Sequence, residues 1–200
     1  MRIVLCVEGG GDTNATQIEC RRAFSTLLER AGFAGRMPQI IACGSRNNAF
    51  KVFKSALRGS ERVAVMLVDS EDPVTESSPW AHLKIRDGWD QPADTTDAQA
   101  QLMTTCMETW ISADIETLKS FFGQHLNVGK LLSLTKLEQR PRDQVQAALT
   151  SATSACGRDR LYKKGDLSFR VLAKVNPNVL MQHATYFKRF VDDLTELQAQ

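Results

Sequence analysis

Two carboxylates stand where apolar runs stop. Ile3-Val4-Leu5-Cys6-Val7 is followed at once by Glu8, then by Gly9-Gly10-Gly11-Asp12. Val63-Ala64-Val65-Met66-Leu67-Val68 is followed by Asp69, with Glu71 and Asp72 close behind. Acids at strand ends are common turn formers. Here both follow runs apolar on both faces, the pattern of central parallel strands. In an open α/β sheet the carboxyl ends of parallel strands share one edge, where such folds place their chemistry. Glu8 and Asp69 are therefore expected to meet although some sixty residues separate them. Alternate residues of an extended segment point the same way, so Glu71 should join Asp69. Carboxylates gathered in this way repel one another unless a hard cation neutralises them. Mg²⁺ favours one or two carboxylates together with waters and substrate phosphates. A site of that kind can activate water and stabilise a leaving oxygen in phosphodiester cleavage.

The elements needed to hold these groups can be followed along the chain. Asp12 or Thr13 can cap a helix. Apolar side chains then recur at Cys20, Ala23, Phe24, Leu27, Leu28 and Ala31, the spacing of one helical face, and Gly32 ends it. Gln39 to Cys43 forms a second strand. A second helix turns Ala49, Phe50, Phe53, Ala56 and Leu57 inward and stops at Gly59. The order β-α-β-α-β predicts a parallel sheet with right-handed crossovers. Asp72 to Asp97, with Pro73, Pro79 and Pro92, is too long for a routine connection and reads as a functional or mobile loop. A helix is expected near Asp97 to Thr105. Cys106 to Ile111 is ambiguous between strand and helix. Asp114 should cap a helix running to Phe122, and Gly123 to Leu137 reads as loop. Helices are expected at about 141–155, 166–174, 177–182 and 184–198. The predicted organisation is an α/β core over residues 1–122 with a helical portion, 123–200, packed on it.

These pieces together resemble a known family. Val7-Glu8-Gly9-Gly10-Gly11-Asp12 with Leu67-Val68-Asp69-Ser70-Glu71-Asp72 is similar to the TOPRIM fold of topoisomerases, primases and overcoming-lysogenization-defect nucleases. Within that group the chain most resembles a small stand-alone TOPRIM-like family of unknown function. Its members often accompany an ABC- or SMC-type ATPase in bacterial mobile or phage-defence loci. Met107-Glu108-x-Trp110 with Ala113-Asp114, Tyr162-x-Lys164, Ser168-Phe169 and Phe187-x-Arg189-Phe190 extend the likeness over most of the chain. The resemblance implies that Glu8 is the general acid/base or metal-ligating glutamate. It implies that Asp69 and Glu71 are the paired acids that hold Mg²⁺ or Mn²⁺, with Glu71 one methylene longer than the usual aspartate and Asp72 able to substitute. Asp12 matches an acid that nuclease-type members carry after the glycine turn. Glu108 and Asp114 would complete a second metal site. Lys164 matches a lysine that stabilises the transition state in related nucleases. The implied partner is an ABC- or SMC-type ATPase. The competing reading is a non-catalytic module that keeps the fold and docks to that ATPase; a third is a nucleotide sensor using the glycine turn as an anion cradle.

Charge distribution bears on substrates. From Asp69 to Asp97 eight acids face two bases, and from Arg140 to Lys174 eight bases face three acids. Cations at one stretch and phosphates at the other would use both; two solvated surfaces would also account for them. Arg158, Arg160, Lys163 and Lys164 could grip a nucleic-acid backbone. Trp80 and Trp89 either stack on bases or pin their loop to the core. His82, His125 and His183 lack zinc-ligand spacing. The glycine turn lacks both the P-loop ending and the GxGxxG spacing, which argues against ATP binding of that kind. Hydrophobic content of 42% and net charge of +2 suit a globular chain. The odd set of five cysteines has no CxxC pair, so reduced structural thiols and a cytoplasmic location are expected. The first apolar run is too short for a signal peptide.

Overall fold

A computed structural model describes residues 2–59 and 62–199. Four strands, β1 (Arg2–Val7), β2 (Gln39–Ala42), β3 (Arg62–Asp69) and β4 (Ala100–Met103), form one parallel sheet in the order β2-β1-β3-β4. The fold is α/β. From β1 the chain crosses to β2 on one side, then returns past β1 to β3 on the other. The strand order therefore reverses between β1 and β3, the place where doubly wound sheets open a crevice beyond their carboxyl ends. In register, Val7 lies opposite Leu67 and Met66 opposite Ala100.

Helix α1 (Asn14–Leu28) follows β1, and α2 (Arg46–Ala56) follows β2. Thr13 caps α1 by accepting the Thr16 N–H, and Ser45 caps α2 by accepting the Asn48 N–H. The strands' alternation sends Ile3, Leu5, Val7, Val65 and Leu67 to one face with Phe24, Leu27 and Leu28 of α1. Val4, Cys6, Ala64, Met66 and Val68 go to the other, against Phe50 and Phe53 of α2. The remaining helices are α3 (Pro79–Asp87), α4 (Met107–Ala113), α5 (Ile115–Phe122), α6 (Arg142–Ala152), α7 (Asp166–Leu172), α8 (Pro177–His183) and α9 (Thr185–Ala199). Asp114 caps α5 as its position suggests, accepting the Thr117 N–H at 3.0 Å. The core on the α1 face is continuous from Ile3 to Leu197, so the helices after residue 123 share it with β1 and β3. Cys6, Cys20, Cys43 and Cys106 are buried as free thiols, and burial pushes Cys20 up to about 12.

Two expectations are corrected. The stretch near Asp97 to Thr105 is not a helix: one 3₁₀ turn at Asp97–Gln99 leads into β4. Ala-Gln-Leu-Met has helical propensity and no β-branched residue, yet the open edge of β3 recruits it; tertiary pairing overrides local preference. The segment from Asp72 to Asp97 is not all loop. Ser78 caps α3, Pro79 takes its first turn and Gly88 ends it in the left-handed region at φ 70°. Trp89 stacks on Phe50 with centroids 4.3 Å apart, and Trp80 Nε1 donates to the Thr96 carbonyl at 3.1 Å. Both tryptophans thus fasten this segment to the sheet. The ambiguous stretch at Cys106 resolves as helix α4.

Helix α4 is buried along its whole length, and its Trp110 ring meets Phe187 edge-on at 5.0 Å and stacks with Phe190 at 6.1 Å. This aromatic cluster joins α4 to α9. Trp110→Ala should lower stability by about 3–5 kcal/mol, read as the shift in the urea unfolding midpoint.

Candidate metal centre

Beyond Val7 the β1 backbone still follows its neighbours: the Glu8 N–H donates to Leu67 O at 2.8 Å. The chain then folds back sharply. Gly9 exchanges two backbone hydrogen bonds with Gly44, 2.9 and 2.8 Å long. Gly10 has φ +89°, and a Cβ there would lie 2.9 Å from Gln17 Cα. No other residue type fits that turn, which lets α1 start close beneath the strand end. The Glu8 side chain is left facing β3, where Oε2 accepts the Asp69 N–H at 3.0 Å.

Asp69 is the last residue of β3 and is 3% exposed. Its Oδ1 accepts the Met107 N–H at 2.9 Å, and its Oδ2 lies 3.5 Å from Lys164 Nζ. Burial, together with the charges of Glu8 and Glu108, raises its carboxyl to about 7 against the opposite pull of Lys164 and the Met107 N–H. Lys164 itself is raised: burial would lower it, but Asp69, Glu108 and Glu8 outweigh that.

Glu71 arrives by a different route from simple strand alternation. The strand has ended, and Glu71 sits in the left-handed region at φ 67° while its N–H donates to Thr105 O at 2.8 Å. The turn, which costs a non-glycine residue strain, brings its carboxylate back to the sheet edge. Glu8, Asp69 and Glu71 each offer an oxygen within 4.8 Å of the others. Three carboxylates of this kind are hard donors suited to Mg²⁺ or Mn²⁺.

Of the other sequence candidates, only Lys164 reaches this cluster among the described residues. Asp12, Asp72 and Glu108 do not belong to this converging group among the described residues. Asp12 is exposed at the glycine turn, and Asp72 is exposed with Arg86 Nε at 3.5 Å. Glu108 is fully buried and accepts from Tyr162 Oη at 3.2 Å; Tyr162 Oη also reaches Ser168 Oγ at 2.9 Å. Asp114 is occupied capping α5 and accepting the Asn176 N–H at 2.8 Å. Lys164 stands at the site, whereas Arg158, Arg160 and Lys163 are exposed in the preceding turns. His82 is bound to Glu76 and to the Ser70 carbonyl, both at 2.9 Å.

Sequence reasoning missed two arginines. Arg46, the first residue of α2, makes a fork with both Asp87 oxygens at 2.9 and 2.6 Å. Its Nη1 donates to the Asp69 carbonyl and lies 3.5 Å from Glu8 Oε2, and its guanidinium sits 5.1 Å from the Trp89 ring centroid. Arg142, the first residue of α6, pairs with Glu71, which Arg86 also approaches at 3.9 Å. A cluster of three acids is thus bordered by Lys164, Arg46 and Arg142. Glu8, Asp69, Lys164, the glycine turn and Phe169 line a cleft of about 280 Å³.

An α/β chain with a carboxylate cluster at the switch point of its sheet is the class these observations define. The chain belongs to the family described as a domain of unknown function (DUF4276), whose model matches residues 7–195. No curated protein and no solved structure matches it significantly. No helix among the described residues is long and apolar enough to cross a membrane.

Arg46 makes Asp87 an electrostatic hinge of the site. Burial would raise the Asp87 carboxyl, but Arg46 and Arg86 hold it below its ordinary value. A lowered carboxyl stabilises the fold above its unfolded value and loses that contribution as the pH falls through the folded one. Arg46→Met should therefore cost about 1–2 kcal/mol at neutral pH, because Asp87 loses the fork but keeps Arg86. The gap to wild type should narrow as the pH falls through the folded value of Asp87, which lies below the ordinary carboxylate value. Urea unfolding of both proteins from pH 7 to pH 3 measures it.

Proposed function

We propose that this chain is a metal-dependent nuclease that hydrolyses phosphodiester bonds, with a TOPRIM-like core, and that it acts as the effector subunit of an ATPase-containing phage-defence system. The observation that carries the nuclease reading is the convergence of Glu8, Asp69 and Glu71 within 4.8 Å at the sheet's switch point. Mg²⁺ or Mn²⁺ bound there would supply charge for the leaving oxygen and lower the pKa of a bound water. Glu8 takes the proton of the attacking water through its outer oxygen, since Oε2 is engaged by the Asp69 N–H. Asp69 is fixed in direction by the Met107 N–H, so it presents one defined oxygen to the cleft. Lys164, on the cleft wall, holds a non-bridging phosphate oxygen and balances charge as the ester bond breaks. The glycine turn leaves room for a phosphate to approach the backbone. The ATPase and the defence setting rest on the family resemblance alone.

A specific observation favours the second reading, a docking module without catalysis. Arg46 lies near Glu8, Lys164 near Asp69, and Arg142 and Arg86 near Glu71, so cations of the chain already oppose all three acids. The two readings separate on metal binding and turnover. With Mn²⁺ or Mg²⁺ added, wild type should cleave plasmid DNA or tRNA. Glu8→Gln and Asp69→Asn should each lose at least about 100-fold in rate, a few kcal/mol of transition-state stabilisation. Calorimetry should show Mn²⁺ binding by wild type that Asp69→Asn weakens. Absence of both cleavage and Mn²⁺ binding in wild type would leave the docking module as the better account.

A further inference from the structure

A second, larger groove adjoins the cleft. It has a volume of about 1030 Å³ and runs between α1 and α7, with Phe121 of α5 at its side. Thr16 and Phe169 line both spaces, so the groove adjoins the cleft that holds Glu8 and Asp69. Its volume is at or above the range of small-molecule pockets, about 300–1,000 Å³. An extended occupant suits it better than a compact one.

Its lining combines cations with apolar and aromatic surface. Arg22 projects from α1, while Arg170 and Lys174 project from α7 and the turn after it; all three are exposed. Neither Arg22 nor Lys174 has an acidic partner within ion-pair distance among the described residues. Glu19 is the acid on the lining, so the charge of the named side chains is net positive. Ile18 is 52% exposed and adds apolar surface to the lining. The Arg170 guanidinium lies over the Phe121 ring, 5.9 Å from its centroid, so a cation and an aromatic ring meet on the groove wall. The groove is also held rigidly. Arg30 of the turn after α1 donates to the carbonyls of Lys174 and Val175 at 3.1 and 3.0 Å, tying the end of α7 to α1.

We infer that this groove carries a single strand of nucleic acid to the carboxylate cluster. Arg22, Arg170 and Lys174 meet the phosphates, and Phe121 and Ile18 meet the bases. The inference deepens the nuclease reading and rests on it. Isolated phosphate binding would need no apolar floor, and an apolar peptide would gain nothing from three cations. A backbone with regular charges and flat apolar bases matches both features. Duplex hides its bases inside the stack and would leave Phe121 and Ile18 without partners.

The experiment is fluorescence anisotropy of a labelled 12-mer, as single-stranded DNA, single-stranded RNA and duplex DNA, with EDTA present so that nothing is cleaved. Wild type should bind at least one single strand more tightly than duplex. Arg22→Glu with Lys174→Glu should weaken that binding at least tenfold. It should also flatten the dependence of log affinity on log salt by about 1.4, two contacts at ~0.7 each. Phe121→Ala should weaken single-strand binding about tenfold and leave duplex binding unchanged. Arg22 and Lys174 are exposed and Phe121 is half-buried against the core, so unchanged thermal melting is required of each variant to verify folding. Tighter binding of duplex, or wild-type affinity in the double variant, would overturn the groove assignment. Strand binding that depends on the groove in a chain that never cleaves would sink the nuclease reading and uphold the groove. Normal cleavage with groove variants that bind like wild type would do the reverse.

Discussion

Val7 lies opposite Leu67, and that register decides where every charge at the sheet edge goes. With β1 and β3 parallel and adjacent, Glu8, one residue past Val7, and Asp69, two past Leu67, emerge on the same rim. Glu8 then has its carboxylate within reach of the Asp69 N–H, and the 3.0 Å bond between them closes the top of the β1–β3 ladder. A slip of one residue would turn Glu8 or Asp69 toward a hydrophobic layer. The two apolar layers, one under α1 and one under α2, forbid it. The site's geometry is thus a consequence of core packing on both sides of the sheet. Its electrostatic cost appears in the raised Asp69 carboxyl.

Much of this was legible in the sequence, because the relevant signals are local. Apolar runs that end in acid, glycines that follow, and caps such as Thr13 and Asp114 each act within a few residues. Strand β4 was not legible. Ala100–Met103 carries no strand signature, and only the exposed edge of β3 explains it. Helix α3 had its signals in Ser78-Pro79 and Gly88, but three prolines in the surrounding segment obscured them. Arg46 and Arg142 had no signature, since an arginine facing a carboxylate dozens of residues away looks like any surface arginine. Lys164 was found through family resemblance, and its 3.5 Å approach to Asp69 depends on how the last third folds back.

The contact at Glu71 shows how a departure from pattern is absorbed. Strand alternation alone would have placed residue 71 on the same side as Asp69. Instead β3 stops and the chain turns through a left-handed residue. The glutamate side chain, one methylene longer than aspartate, still reaches the common point with Glu8 and Asp69. Arg142 then fixes its outer side.

The helices after residue 123 bring more than cover to the core. The acidic stretch that begins at Asp69 meets the basic stretch that begins at Arg140 through two contacts, Glu71 with Arg142 and Asp69 with Lys164. The loop bearing Lys164 is bracketed by Tyr162, whose hydroxyl joins Glu108 of α4 to Ser168 of α7, and by Gly165, whose N–H donates to Ser168 Oγ at 3.1 Å. Glu108 therefore does two things at once. It anchors that loop through a buried hydroxyl, and its charge adds to the field that raises Asp69. A fully buried carboxylate 39 positions beyond Asp69 in the chain is costly to keep. Holding a lysine opposite the most buried acid of the cluster gives that cost a structural purpose, and it makes the last third of the chain a part of the site's electrostatics.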